Sequence, residues 1–325
     1  ATTDFMGSTN DADVIFKRNN LRAGRIGIEN TSFGVNALNP ASTGHQNTAS
    51  GTASLYSNTT GSQNTASGAF SLFSNTTGNN NTASGTSSLR SNTTGNNNTA
   101  SGVSSLQSNT TGIQNTASGT ASLYSNTTGT HNTASGASSL YSNTTGYQNT
   151  ASGAFSLFSN TIGYDNTASG TASLRFNTEG YNNTASGVSS LQSNTTGSNN
   201  TGLGYNSQTG ANLTNATAIG ANASATTSNS LVLGSIIGVN GAIASANVGI
   251  GTTAPNAALE VKAVNPAAPT NTEGLLIPRI NVFPATNPTA AQHGMQVFLT
   301  TAVGTQQPGF YLYVFKLNWT FSKRV

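Results

Sequence analysis

Asn47-Thr48-Ala49-Ser50-Gly51-Thr52-Ala53-Ser54-Leu55-Tyr56-Ser57-Asn58-Thr59-Thr60-Gly61-Ser62-Gln63 is one unit, and the chain copies it. Asn returns at 64, 81, 98, 115, 132, 149, 166 and 183, always 17 residues on. With few departures each copy keeps Asn-Thr-Ala-Ser-Gly, a Ser-Leu pair and Ser-Asn-Thr-Thr-Gly. A divergent copy comes first, Asn30-Thr31-Ser32-Phe33-Gly34, with Leu38, Thr43 and Gly44 in register. Ten copies therefore fill 30–199 without an insertion. A fixed period of this kind is the mark of a solenoid, in which each unit is stabilised by its neighbours.

Seventeen residues are too few for a helical hairpin, and Gly, Asn, Thr and Ser are poor helix interiors. Short β segments joined by turns fit better. Asn-Thr-Ala-Ser and the stretch around the repeated Leu are the strand candidates. The Gly after Ser and the Ser-Asn-Thr-Thr-Gly run supply corners. If one copy is one coil, neighbours lie ~4.8 Å apart and ten coils make a rod of roughly 48 Å. Equivalent side chains then stack: Asn47 on Asn64 on Asn81, and Leu55 on Leu72 on Leu89. Asn ladders of this kind stabilise cross-β stacks. One Leu and one Ala per copy make a thin core, at ~25 cal/mol per Å² buried. That points to satisfied Asn and Thr side chains, or to a face shared among chains as a homotrimer or filament. The Gly at repeat position 5 leaves open which positions face inward.

A longer period overlies the first. Ala69-Phe70-Ser71-Leu72-Phe73 returns 85 residues later as Ala154 to Phe158, and Val103 to Gln107 as Val188 to Gln192. A five-copy block has duplicated.

The composition agrees with a rod. Of 325 residues only 6% are charged, the net charge is +3, 36 are Gly and none is Cys. An ordinary α/β enzyme carries about a quarter charged residues. Disorder would need higher net charge. The lack of Cys removes disulfides and thiolate sites. No apolar run approaches the ~18 residues of a membrane span, so no membrane insertion is expected. Ala1 to Asn10 does not read as a signal peptide, and so few charges give little reason to expect nucleic acid.

Beyond Asn199 the period breaks. Asn215-Ala216-Thr217-Ala218-Ile219-Gly220 is followed 14 residues later by Asn229-Ser230-Leu231-Val232-Leu233-Gly234. This resembles the head repeat of trimeric autotransporter adhesins, and the 17-residue copies resemble its longer relatives in bacterial surface and phage tail-fibre proteins. Phe33-Gly34 and Ala37-Leu38 match the usual form of that repeat. The nine central copies depart from it, with Ser at both the apolar and the Ala position. Val248-Gly249-Ile250-Gly251-Thr252-Thr253-Ala254-Pro255, continuing to Leu259-Glu260-Val261, is similar to the junction that follows such rolls. The resemblance implies a left-handed parallel β-roll, a homotrimer, an extracellular or cell-surface setting and cell adhesion.

From Pro266 the vocabulary changes, and six of eight prolines fall between Pro266 and Pro308. Phe310-Tyr311-Leu312-Tyr313-Val314-Phe315 reads as an aromatic strand. It is either the core of a small β-domain or a strand that assembles with another subunit.

Chemistry is scarce. His45, His131 and His293 lie far apart, and between Asn47 and Ala258 the only charges are Arg90, Asp165, Arg175 and Glu179. No carboxylate pair and no base beside a nucleophile stands out. Asp11-Ala12-Asp13 lacks the other ligands of a calcium loop. Gly202-Leu203-Gly204 and Gly249-Ile250-Gly251 lack the helix of a phosphate cradle. Lys17, Arg18, Arg22 and Arg25 read as a solvated strand edge.

The expected architecture is all-β: a β-solenoid or parallel β-roll of 17-residue coils with a small C-terminal β-domain, intertwined or stacked as a homo-oligomer. Four segments follow: a cap at 1–29, the repeats at 30–199, divergent repeats and a junction at 200–261, and an assembly domain at 262–325. The expected function is structural and not enzymatic, without metal or cofactor: an adhesin stalk or fibre whose partners are itself and a surface glycan or receptor. The alternative is an ice- or glycan-binding module using Thr and Asn files, helped by the rings of Tyr56, Phe73, Tyr124, Tyr141 and Phe158.

Overall fold

Each copy of the repeat makes one short strand and then a run of turns. In the computed structural model, residues 12–262, 275–283, 289, 292, 294–314 and 318–321 are described. β1 (Val14–Arg18) and β2 (Leu21–Ile26) form an antiparallel hairpin, followed by β3 (Asn30–Phe33) and β4 (Asn47–Ser50). Eight three-residue strands come next, β5–β12, from Thr65–Ser67 to Thr184–Ser186. β13 (Thr201–Leu203), β15 (Ala216–Ile219) and β17 (Ser230–Leu233) continue the same 15-stranded sheet. β14 (Gln208–Thr209) and β16 (Ser224–Ala225) pair separately.

From β3 to β17 every pairing is parallel, and from β4 to β12 it is Thr on Thr, Ala on Ala and Ser on Ser. Identical sequences can stack in this way only at zero slip. β2 closes the open edge of β3 by antiparallel pairing, Gly24 opposite Phe33, so the first coil presents no bare strand edge.

The Leu stretch is not a second strand. Leu55 and Leu72 have φ of 51° and 48°, and Ala53 and Phe70, two residues earlier, 55° and 58°. Two left-handed residues in three turn the chain sharply, so Ser54 and Leu55 both point inward and both are fully buried. A left-handed residue costs roughly 1–2 kcal/mol, and burying a Leu contributes roughly 1.5–3. The two nearly cancel, so hydrogen bonding must carry much of each coil.

The interior supplies it. Asn64 donates Nδ2 to Asn47 Oδ1 at 3.2 Å and to Gly78 O at 2.8 Å, and its backbone N to Asn47 Oδ1 at 3.1 Å. Asn81 repeats this on Asn64. A second file runs through Asn58 and Asn75, Nδ2 to Oδ1 at 2.8 Å. The two files meet at shared carbonyls, with Asn47 and Asn58 both donating Nδ2 to Gly61 O at 2.9 Å. The interior also holds Leu55, Leu72 and Leu89, all at 0% exposure, with the strand Ala residues. Replacing one such residue, Leu123→Ala, is expected to lower stability by about 2–5 kcal/mol in thermal unfolding. Thr116→Ala, on the exposed side of a strand, should stay within about 0.5 kcal/mol. Equal effects would overturn this assignment of inside and outside.

The chain forms two compact units, 1–246 and 247–325. The break falls earlier than the expected segment boundary at 262, because β18 (Val248–Ile250) pairs in parallel with β19 (Leu259–Val261). The junction thus lies with the second unit. There β20 (Arg279–Ile280), β21 (Gln296–Leu299), β22 (Gly309–Val314) and β23 (Asn318–Phe321) form a sheet in that order. Val297, Leu299 and Tyr311 are its buried core. Among the described residues there is no α-helix.

Candidate functional site

The Asn and Leu ladders are buried, so they build the rod and cannot touch a partner. What can act on other molecules lies in the outward files and at the two ends.

The first file is the outer face of the sheet. In each Thr-Ala-Ser strand Ala is buried while Thr and Ser are exposed. None of these hydroxyls takes a protein hydrogen bond. The Thr at repeat position 13 behaves otherwise: Thr59 and Thr76 donate Oγ1 to the carbonyl of the next coil at 2.9 and 3.0 Å. The two kinds of Thr look alike in the repeat, and the fold separates them. At both ends the outer face turns apolar. Ser50 is paired with Phe33, Ser186 with Leu203, Leu203 with Ile219, and Ile219 with Leu233. Phe33, Leu203, Ile219, Leu231 and Leu233 are all exposed, Leu231 at 60%.

The second file is aromatic. Tyr56 stacks on Phe73 at 5.3 Å with planes 5° apart. Tyr124, Tyr141 and Phe158 stack at 5.0 and 5.1 Å. The duplicated block places Arg90 over Phe70 and Phe73, and Arg175 over Phe155 and Phe158, at 5.4–6.0 Å. Another stack joins Tyr147, Tyr164 and Tyr181 at 4.8 and 5.0 Å, at a variable position of the repeat that carries no aromatic pattern in the other copies. Neighbouring rings and guanidinium groups occupy the faces within these stacks. A sugar stacks on a ring face, so the inner rings of the ladder are closed to one.

At the N-terminal end the basic cluster is more than a solvated edge. Arg25 pairs with Asp13 at 2.5 Å. Arg22 reaches across the first coil and donates Nη2 to Ala37 O and Leu38 O. Burial first, and then the charge of Arg25, lower its pKa below the ordinary value. Arg22, Asn36, Asn39, Pro40, Tyr56 and Ser57 line a cavity of about 380 Å³. No periodic signal marks it, because Arg22 lies outside the repeat.

In the second unit β22 lies between β21 and β23, so both its edges are paired. Tyr311 and Tyr313 are buried, Leu312 is half-buried, and Phe310 is exposed. Phe315 lies outside the described residues, as does His293. Leu275, Leu276, Ile277, Arg279, Phe298 and Phe310 line an apolar groove of about 220 Å³.

Residues 249–323 match the family model of a phage tail like trimerisation region. No curated protein matches the chain. The match spans β18 to β23 and includes the groove at Leu275, Leu276 and Phe310. Self-association as a trimer is supported on this ground. Among the described residues no three His, Asp or Glu side chains gather as metal ligands.

Proposed function

We propose that the protein is a structural segment of a trimeric fibre, extracellular or virion-associated, that contributes to surface attachment. One observation carries this reading: a rigid in-register solenoid is joined in a single chain to a region similar to phage tail-like trimerisation regions. A lone rod would leave Leu203, Ile219, Leu231 and Leu233 in water, and the second unit would do the same with Leu275 and Leu276, both over 70% exposed. Exposed apolar patches of this kind mark interaction surfaces. A second and a third copy of the chain are the natural cover. Small Ser and Thr side chains along the rest of the sheet face would let backbones approach closely.

Light scattering on the intact protein should give three times the 32.8 kDa chain mass. The double variant Leu275→Glu, Leu276→Glu should shift it to monomer, because charge buried at an apolar contact is strongly unfavourable. A monomeric wild type would overturn the trimer. If that monomer also bound ice through its free Thr and Ser hydroxyls, the sheet face would be a water-ordering surface instead.

A further inference from the structure

An aromatic ladder can offer a ring face only at an end. Tyr56 begins the first of these stacks, and one of its faces is covered by Phe73. The other face is turned toward the preceding coil, whose equivalent residue is Asn39, too short to stack. The cavity of about 380 Å³ opens there, within the size range of small-ligand sites. At the other ends of this file the neighbour is a guanidinium, as at Phe73 and Phe158, or the Gln107 amide, whose Nε2 lies 3.4 Å from the Tyr124 hydroxyl. The Tyr147–Tyr181 stack ends beside Thr130 and Ser198, away from the Arg22 cavity.

The remaining walls are polar in a particular way. Arg22 uses Nη2 on two carbonyls, and its Nε and Nη1 have no hydrogen-bond partner among the described residues. Among the described residues no carboxylate pairs with it, and Asp13 is taken by Arg25. The Asn39 side chain accepts from Ala41 N at 3.0 Å through Oδ1, which leaves its Nδ2 to donate. Asn36 is exposed at the rim, held in a left-handed turn with φ of 58°. A flat apolar face, two amide side chains and a guanidinium with no carboxylate partner among the described residues thus surround one hollow.

We propose that this hollow binds an acidic sugar: a pyranose packs its C–H face on Tyr56, its carboxylate pairs with Arg22, and its hydroxyls meet Asn36 and Asn39. The carboxylate geometry suits a guanidinium fork. An anion here would also relieve the repulsion between Arg22 and Arg25. The inference rests on the attachment role proposed above and supplies its ligand class. Three copies in a trimer would present three such hollows, and simultaneous engagement would raise avidity without a new contact.

The test uses the full chain, with methyl β-glucuronide as the probe and methyl β-glucoside as its neutral counterpart, followed by calorimetry and saturation-transfer NMR. The glucuronide should bind saturably and the glucoside about tenfold more weakly or worse. Tyr56→Ala should weaken the glucuronide by about tenfold with unchanged melting temperature. Tyr141→Ala removes a ring with both faces covered and should leave binding intact. Equal binding of the two probes, equal loss in Tyr56→Ala and Tyr141→Ala, or no saturable binding would each overturn the proposal. Mass measured on the same sample reports the trimer separately, so a failed site and a failed fibre are told apart.

Discussion

Asn115→Asp is expected to open the rod at its middle, and to do so less at low pH. Asn115 donates Nδ2 to Asn98 Oδ1 at 3.2 Å and to Gly129 O at 2.8 Å. Its Oδ1 accepts from Asn132 N and Nδ2 at 3.0 and 3.1 Å. A carboxylate keeps the acceptor side and loses the donor side, placing one oxygen against two others, Asn98 Oδ1 and Gly129 O, in a fully buried site. An uncompensated buried charge costs about 3–5 kcal/mol. The carboxyl escapes by holding its proton, so the folded form binds more protons than the unfolded one. Stability then rises as pH falls, through the window between the raised folded pKa and the unfolded value of about 3.9. Circular dichroism melts of wild type and variant at pH 7 and pH 4 check this. A deficit that is the same at both values would mean that the charge is not what disrupts the ladder.

A methyl group at Gly119 should be almost as damaging. Gly119 has φ of +127°, a backbone region that L residues rarely adopt, and a Cβ built there meets Gly136 C and O at 2.7 Å. Neither contact is the end of a flexible side chain, so the coils themselves must separate. Left-handed strain contributes about 1–3 kcal/mol and overpacking another ~1–3, so Gly119→Ala should lose about 2–6 in all. In a one-dimensional stack the loss should be local. Hydrogen exchange should therefore show opening centred on the coils that carry Gly119 and Gly136, with the distant coils protected. Uniform loss of protection from 47 to 199 would show instead that the rod unfolds as one cooperative block. The corresponding Gly in every other coil has the same geometry, as at Gly68 and Gly170, so the effect should not depend on which copy is changed.

Much of the architecture was legible from the period alone. A strict 17-residue repeat of uncharged residues can stack only in register, which sets coil length, parallel pairing and the ladders from Asn47 and Leu55. The low charge is part of the same logic, since identical charges stacked ~4.8 Å apart would repel. The candidate site was far less legible. The rings of Tyr56 and Tyr141 hold the same repeat position and look equivalent as letters. Only the stack shows that Tyr141 has both faces covered while Tyr56 has one free. Arg22 belongs to no period, and its approach to the Ala37 and Leu38 carbonyls follows from the antiparallel return of β2 onto β3.

The sequence by itself determined the repeat, the all-β character and the sharing of one pattern by every coil, because copies that stack must agree residue by residue. Which residues face inward was decided by the tertiary structure. Strand alternation holds for the three residues of Thr-Ala-Ser and then ends at a Gly with φ near +130°. After it, the left-handed turns at Ala53 and Leu55 bring adjacent Ser54 and Leu55 inside together. Those dihedrals hold only because the next coil supplies a Leu to cover Leu55 and an Asn to bind Asn58, contacts that no single copy can make.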